Sequence, residues 1–121
     1  MPRILIVEDD PHLRDVVQLI LAGPGNEIDS VADGQAALER LAQHAYDLVV
    51  CDLHMPGVDG RAVYLAIERQ SPPRPAVVFV TGSHDTGAYK AWLRTVHAAV
   101  VGKPFDITVL RETVRRLLSG P

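Results

Sequence analysis

Asp47-Leu48-Val49-Val50-Cys51-Asp52-Leu53-His54-Met55-Pro56-Gly57-Val58-Asp59-Gly60 is the stretch that decides how this chain folds. Leu48 to Cys51 is an unbroken apolar run, too short for a helix and stopped by a Pro-Gly turn. That is the pattern of a strand buried on both faces. Strands buried on both faces belong to parallel sheets covered by helices. Asp52 then sits where such a strand leaves the core, at the sheet edge where open α/β folds bind their ligands.

Three further runs end in the same way. Ile4-Leu5-Ile6-Val7 leads into Glu8-Asp9-Asp10, Ala76-Val77-Val78-Phe79-Val80 into Thr81, and Ala98-Ala99-Val100-Val101 through Gly102 into Lys103. Helical patterns lie between them. Asp10 caps a helix starting at Pro11, with Leu13, Val16, Val17 and Ile20 inward, and Gly23-Pro24-Gly25-Asn26 ends it. Ile28 to Ala32, broken by polar residues, reads as an edge strand. Asp33 caps a second helix through Gln43 that packs Ala37, Leu38 and Leu41. A third runs from about Arg61 to Gln70, with Val63, Leu65, Ala66 and Ile67 for burial. Ser71-Pro72-Pro73-Arg74-Pro75 forms a rigid connection. A fourth helix, Asp85 to about Val96, carries Tyr89, Trp92 and Leu93. Asp106 caps the last, with Val109, Leu110, Val114, Leu117 and Leu118 inward.

Five β-α units in regular alternation give an α/β fold, a flavodoxin-like doubly wound parallel sheet. Right-handed crossovers and an edge position for strand two leave the order 2-1-3-4-5. That order sets the ends of strands one and three side by side at the switch point, where Glu8, Asp9 and Asp52 meet.

Composition narrows the function. A chain of 121 residues fits one domain, and its 47% apolar and 22% charged content is that of a globular protein. A net charge of −3 provides no basic footprint for direct nucleic-acid binding. The single cysteine, Cys51, cannot form an internal disulfide and reads as a packed thiol. No signal peptide or membrane-spanning run is visible, so a cytoplasmic location is expected, with no membrane contact. His12, His44, His84 and His97 show no metal spacing. Tyr89 and Trp92, three apart on one helix face, read equally well as core or as a partner contact.

The acidic edge carries the chemistry. Carboxylates crowded together repel one another unless a cation lies among them. Mg²⁺ suits one or two carboxylates plus phosphate oxygens. Asp52 can act as ligand, as nucleophile or as both. Phosphoryl transfer needs positioning and positive charge more than covalent help, and Lys103 and the Thr81 hydroxyl can supply these. A flavodoxin-like cofactor binder would need a phosphate cradle after strand one, where Glu8-Asp9-Asp10-Pro11 stands instead. An aspartyl-phosphate phosphatase would need a second acid two residues past the nucleophile, where His54 stands.

These residues resemble the receiver domain of two-component response regulators, the family of the bacterial chemotaxis regulator. The likeness spans the whole chain. Ile4 to Pro11 is similar to the family's first strand and acidic pair, Asp52 to Gly60 to its phosphoacceptor loop, Val80-Thr81-Gly82 to its switch segment and Lys103-Pro104-Phe105 to its lysine motif. The resemblance implies that Glu8, Asp9, Asp52 and the His54 backbone carbonyl hold Mg²⁺. It also implies that Asp52 accepts a phosphoryl group from a sensor histidine kinase or histidine phosphotransfer protein, with Thr81 and Lys103 on its oxygens. The Lys103-Pro104 bond is cis in the family. The expected unit is one receiver domain over residues 1–121 with no output domain. It catalyses its own phosphorylation and dephosphorylation, is not a turnover enzyme, and meets a downstream protein through helix four, strand five and helix five. The family often has Tyr or Phe three residues before the lysine; here that position is Val100. An interaction scaffold that works without phosphorylation stays open as the second reading.

Overall fold

The computed structural model describes residues 2–23, 25–82, 86–103 and 106–119, and only the backbone of 86–88. Its elements alternate without exception: β1 (Arg3–Val7), α1 (Pro11–Leu21), β2 (Glu27–Val31), α2 (Gly34–Gln43), β3 (Leu48–Asp52), α3 (Gly60–Glu68), β4 (Ala76–Gly82), α4 (Thr86–Leu93), β5 (Ala99–Lys103) and α5 (Ile107–Ser119). The strands pair in parallel in the order β2-β1-β3-β4-β5. The flavodoxin-like topology read from the sequence is therefore the one observed.

Alternation along the strands builds two apolar layers. Leu5, Val7, Val49, Cys51, Val77 and Phe79 face α2, α3 and α4. Ile4, Ile6, Leu48, Val50, Val78 and Val80 face α1 and α5. All five residues of β3 are buried. Leu48, Val49 and Val50 each contribute about 1.5–3 kcal/mol by leaving water. A charge at Val50 would therefore both forfeit that term and bury an unpaired ion.

Register then sets the strand ends. Val7 pairs with Cys51, so Glu8 and Asp52, one residue on in each strand, stand level. Asp52 pairs with Val80, Thr81 with Gly102, and Gly82 with Lys103. The four strands thus deliver carboxylate, carboxylate, hydroxyl and ammonium to one rim.

Helices α1, α2, α3 and α5 start where side-chain oxygens replace missing backbone acceptors. Asp10 accepts from the His12 and Leu13 amides, Asp33 from Ala36, Asp59 from Ala62, and Asp106 from Thr108 and Val109. Such a cap contributes about 1 kcal/mol. No helix among the described residues is long and apolar enough to cross a membrane.

Several expectations need correction. Val16, Leu65 and Val109 do not face inward; they are 43%, 37% and 52% exposed. The buried stripes are Val17-Ile20-Leu21 on α1, Val63-Tyr64-Ile67 on α3 and Leu110-Thr113-Val114 on α5. Each exposed residue lies about 100° round the helix from a buried neighbour, beyond the core-facing stripe. β2 begins at Glu27, one residue early, and α3 begins at Gly60 behind the Asp59 cap. α4 ends at Leu93, before Val96. His84, Asp85 and the Lys103-Pro104 bond lie outside the described residues. Among the described residues the cis peptide is Pro72-Pro73, in the proline-rich connection.

Candidate functional site

Asp52 closes β3 with its carboxylate only 6% exposed. Its Oδ1 accepts the His54 backbone N–H at 3.2 Å, and its Oδ2 accepts Lys103 Nζ at 3.2 Å. The same Nζ lies 3.2 Å from Glu8 Oε1. Glu8, 3% exposed, also accepts the Asp10 backbone N–H at Oε2, 3.2 Å away. The turn that presents Glu8 is held by Arg14, whose Nη1 donates to the Glu8 carbonyl at 2.9 Å. Asp9 is exposed, and one carboxylate oxygen from each of Glu8, Asp9 and Asp52 lies within 4.8 Å of the others.

Two buried carboxylates thus share one ammonium. Burial, followed by the Asp52 charge, raises the Glu8 pKa from 4.5 to about 7, against the pull of the Asp10 amide and Lys103. For Lys103, burial alone would lower the pKa, but the Asp52 and Glu8 charges outweigh it and hold it above its ordinary value. Oxygen donors at the spacing of Glu8, Asp9 and Asp52 suit a hard divalent cation. A cation bound beside Glu8 would oppose the upward push that burial and the Asp52 charge give its carboxyl.

The loop from Leu53 to Asp59 is fixed at close quarters. Gly60 N–H donates to the Leu53 carbonyl at 3.0 Å, and a Cβ on Gly60 would fall 2.7 Å from the Asp52 carbonyl oxygen. A Cβ on Gly34, the first residue of α2, would fall 2.1 Å from the Val58 carbonyl oxygen. Gly57 takes a left-handed φ of 73°, which a side chain would resist.

The structure therefore brings Glu8, Asp9, Asp52 and Lys103 together. Thr81 is fully buried one residue further along β4, its Oγ1 3.4 Å from the Gly82 carbonyl. His54 meets Asp52 through its backbone, and its side chain is exposed. His12 and His97 are exposed as well, and His44 lies edge-on to Tyr46. Cys51 is fully buried, and burial pushes its thiol pKa up. Tyr89 and Trp92 are half-buried and pack against the core layer of α2 and α3. Sequence reasoning missed Arg14 and Asp59. Asp59 carries a signal, an aspartate just before a helical pattern; Arg14 carries none, since its partner is a backbone carbonyl.

The response regulator receiver domain family matches residues 4–115 of this chain. Response regulator ArlR of Staphylococcus aureus is 34% identical over 119 residues, covering 98% of this chain and 53% of the relative. The chain thus spans about half the length of the curated relatives it matches. Among solved structures, response regulator TrrA of Thermotoga maritima, in complex with Mg(2+)-BeF, is 34% identical with a TM-score of 0.83, over 98% of this chain and 100% of that one. The signal receiver domain of a signal transduction histidine kinase from Syntrophus aciditrophicus is 31% identical with a TM-score of 0.87, over 99% and 92% of the two chains.

Proposed function

This chain belongs to the response regulator receiver domain family of two-component systems, and from that premise we propose that Asp52 accepts a phosphoryl group and thereby switches a protein-interaction face. The observation that carries the reading is the Asp52 carboxylate itself, at a buried strand end with Lys103 Nζ 3.2 Å from one oxygen.

The donor is the phosphohistidine of a sensor histidine kinase or a histidine phosphotransfer protein. An Asp52 oxygen attacks phosphorus, the P–N bond breaks, its electron pair returns to the imidazole, and an acyl phosphate remains. Little covalent help is needed; positioning and positive charge decide the rate. Lys103 Nζ stands beside the attacking carboxylate and offsets charge on the phosphoryl oxygens. The Thr81 hydroxyl, one residue past the partner of Asp52 on β4, would turn from the Gly82 carbonyl to donate to one of them. Glu8, Asp9, Asp52 and the His54 carbonyl would hold Mg²⁺, which supplies further positive charge at the phosphoryl oxygens when bound. The exposed Asp9 marks the open side through which a donor reaches the site.

Residues 1–121 act as one cytoplasmic receiver unit that promotes its own phosphorylation and dephosphorylation rather than turning over a substrate. The output surface is α4-β5-α5, where Val100, Ile107 and Val109 are 45%, 49% and 52% exposed. Val100 has one restricted torsion and no ring to swing, so activation does not run through a strand-five aromatic.

Incubation of wild type and Asp52→Asn with acetyl phosphate and Mg²⁺, followed by intact mass, tests the reading. Wild type should gain one phosphoryl group and the variant none. A variant that gains it with the same stoichiometry, or a wild type that gains none, would overturn it.

A further inference from the structure

Resting on the phosphoacceptor reading of Asp52, we infer that the Tyr89 hydroxyl latches α4 to Asp59, so that α4 senses the occupancy of Asp52 through the start of α3. Asp59 divides its carboxylate. Oδ1 accepts the Ala62 amide at 2.9 Å and so caps α3; Oδ2 accepts the Tyr89 hydroxyl at 2.9 Å. A hydrogen bond to a carboxylate is shorter and stronger than one between neutral groups. It joins residues thirty positions apart that belong to different helices.

Asp59 is directly bonded to the residue that touches Asp52. Gly60 follows it and lies close against the end of the phosphoacceptor strand. A Cβ there would meet the Asp52 carbonyl oxygen at 2.7 Å and the Leu53 Cα at 2.8 Å. Displacement of the Asp52 backbone therefore presses on Gly60, and Gly60 carries Asp59 with it.

The other neighbour of Gly60 makes a second contact to the same helix. The Arg61 guanidinium lies over the Trp92 ring, 5.6 Å from its centroid. Trp92 is held in turn by Tyr64 at 5.6 Å, edge-on, and by Phe79 at 5.7 Å. Asp59 and Arg61 thus flank Gly60 and grip Tyr89 and Trp92, one turn apart on α4. With valine at position 100, this grip provides α4 with a route to the site that needs no ring on β5. Such coupling is reciprocal: what Asp52 does to α4, α4 does to Asp52.

The chain holds a single tryptophan, Trp92, so its emission reports on α4. The full chain is titrated with beryllofluoride in the presence of Mg²⁺, and phosphorylation by acetyl phosphate is followed by intact mass in parallel. Wild type should show a saturable change in Trp92 emission. Tyr89→Phe keeps the ring and removes the hydroxyl; its emission change should fall below about half that of wild type while phosphorylation persists. Asp59→Ser retains a capping oxygen and removes the second acceptor, and should show the same loss. An unchanged emission response in either folded variant overturns the latch, as does a wild type that is phosphorylated while Trp92 stays silent. A wild type that takes no phosphoryl group overturns the reading of Asp52 instead.

Discussion

Glu8→Gln should make the metal-free protein more stable above neutral pH and leave it nearly unchanged near pH 4.5. Glutamine keeps the volume of Glu8 and one oxygen for the Asp10 amide, but it never ionises. In the folded wild type the Glu8 carboxyl titrates at about 7, against 4.5 in its ordinary state. An acid whose pKa rises on folding binds its proton more tightly in the folded chain. Between those two values the folded state holds a proton that the unfolded state has lost. Stability therefore falls as pH rises through this window, opposite to the usual carboxylate behaviour. At about 1.4 kcal/mol per pH unit, the full loss is about 3 kcal/mol, complete by roughly pH 8. Lys103, held above its ordinary value of 10.5, contributes stability that is present throughout this range and is lost only at higher pH. Urea unfolding of both proteins in a chelator, at several pH values and with equal m-values, isolates the Glu8 contribution. The variant's advantage should grow from near zero to about 3 kcal/mol. An advantage that is the same at all pH values, or a variant that loses ground as pH rises, would refute the reasoning.

The same proton should appear in metal binding. Near pH 6, calorimetry in buffers of different ionisation enthalpy should report close to one proton released per Mg²⁺, and near pH 8.5 almost none. Gly34→Ala places a Cβ 2.1 Å from the Val58 carbonyl oxygen; it should cost about 1–3 kcal/mol in thermal or urea unfolding and slow phosphorylation by displacing the loop. Gly23→Ala meets nothing within 4 Å and should stay within about 0.5 kcal/mol of wild type in the same assay. Cys51, fully buried with its thiol pKa raised, should resist an aromatic disulfide reagent in the native protein and react fully in urea.

The strands and their order are legible because each apolar run is interrupted by one chemically distinct residue at the same end. Asp10, Asp33 and Asp106 are legible as caps because an aspartate precedes each helical pattern. Helix faces are less so. Val16, Leu65 and Val109 are as apolar as their buried neighbours, and only the rotation of each helix against the sheet separates them. Glu8, Asp9, Asp52 and Lys103 are legible as a group because parallel register carries strand ends to one rim. The Arg14 and Tyr89 contacts are not. They depend on a backbone carbonyl in one case and on the relative placement of two helices in the other, and neither leaves a local pattern.

The attachment of Glu8, Asp52, Thr81 and Lys103 directly to a rigid ladder has a consequence for binding entropy. Their backbones are already confined by β1, β3, β4 and β5 before any ligand arrives, so assembling the site freezes few main-chain torsions. What remains to be settled on binding is almost wholly the work of moving charge. A site built this way need not fold around a ligand, and binding there is governed by the balance of charge at one rim of the sheet.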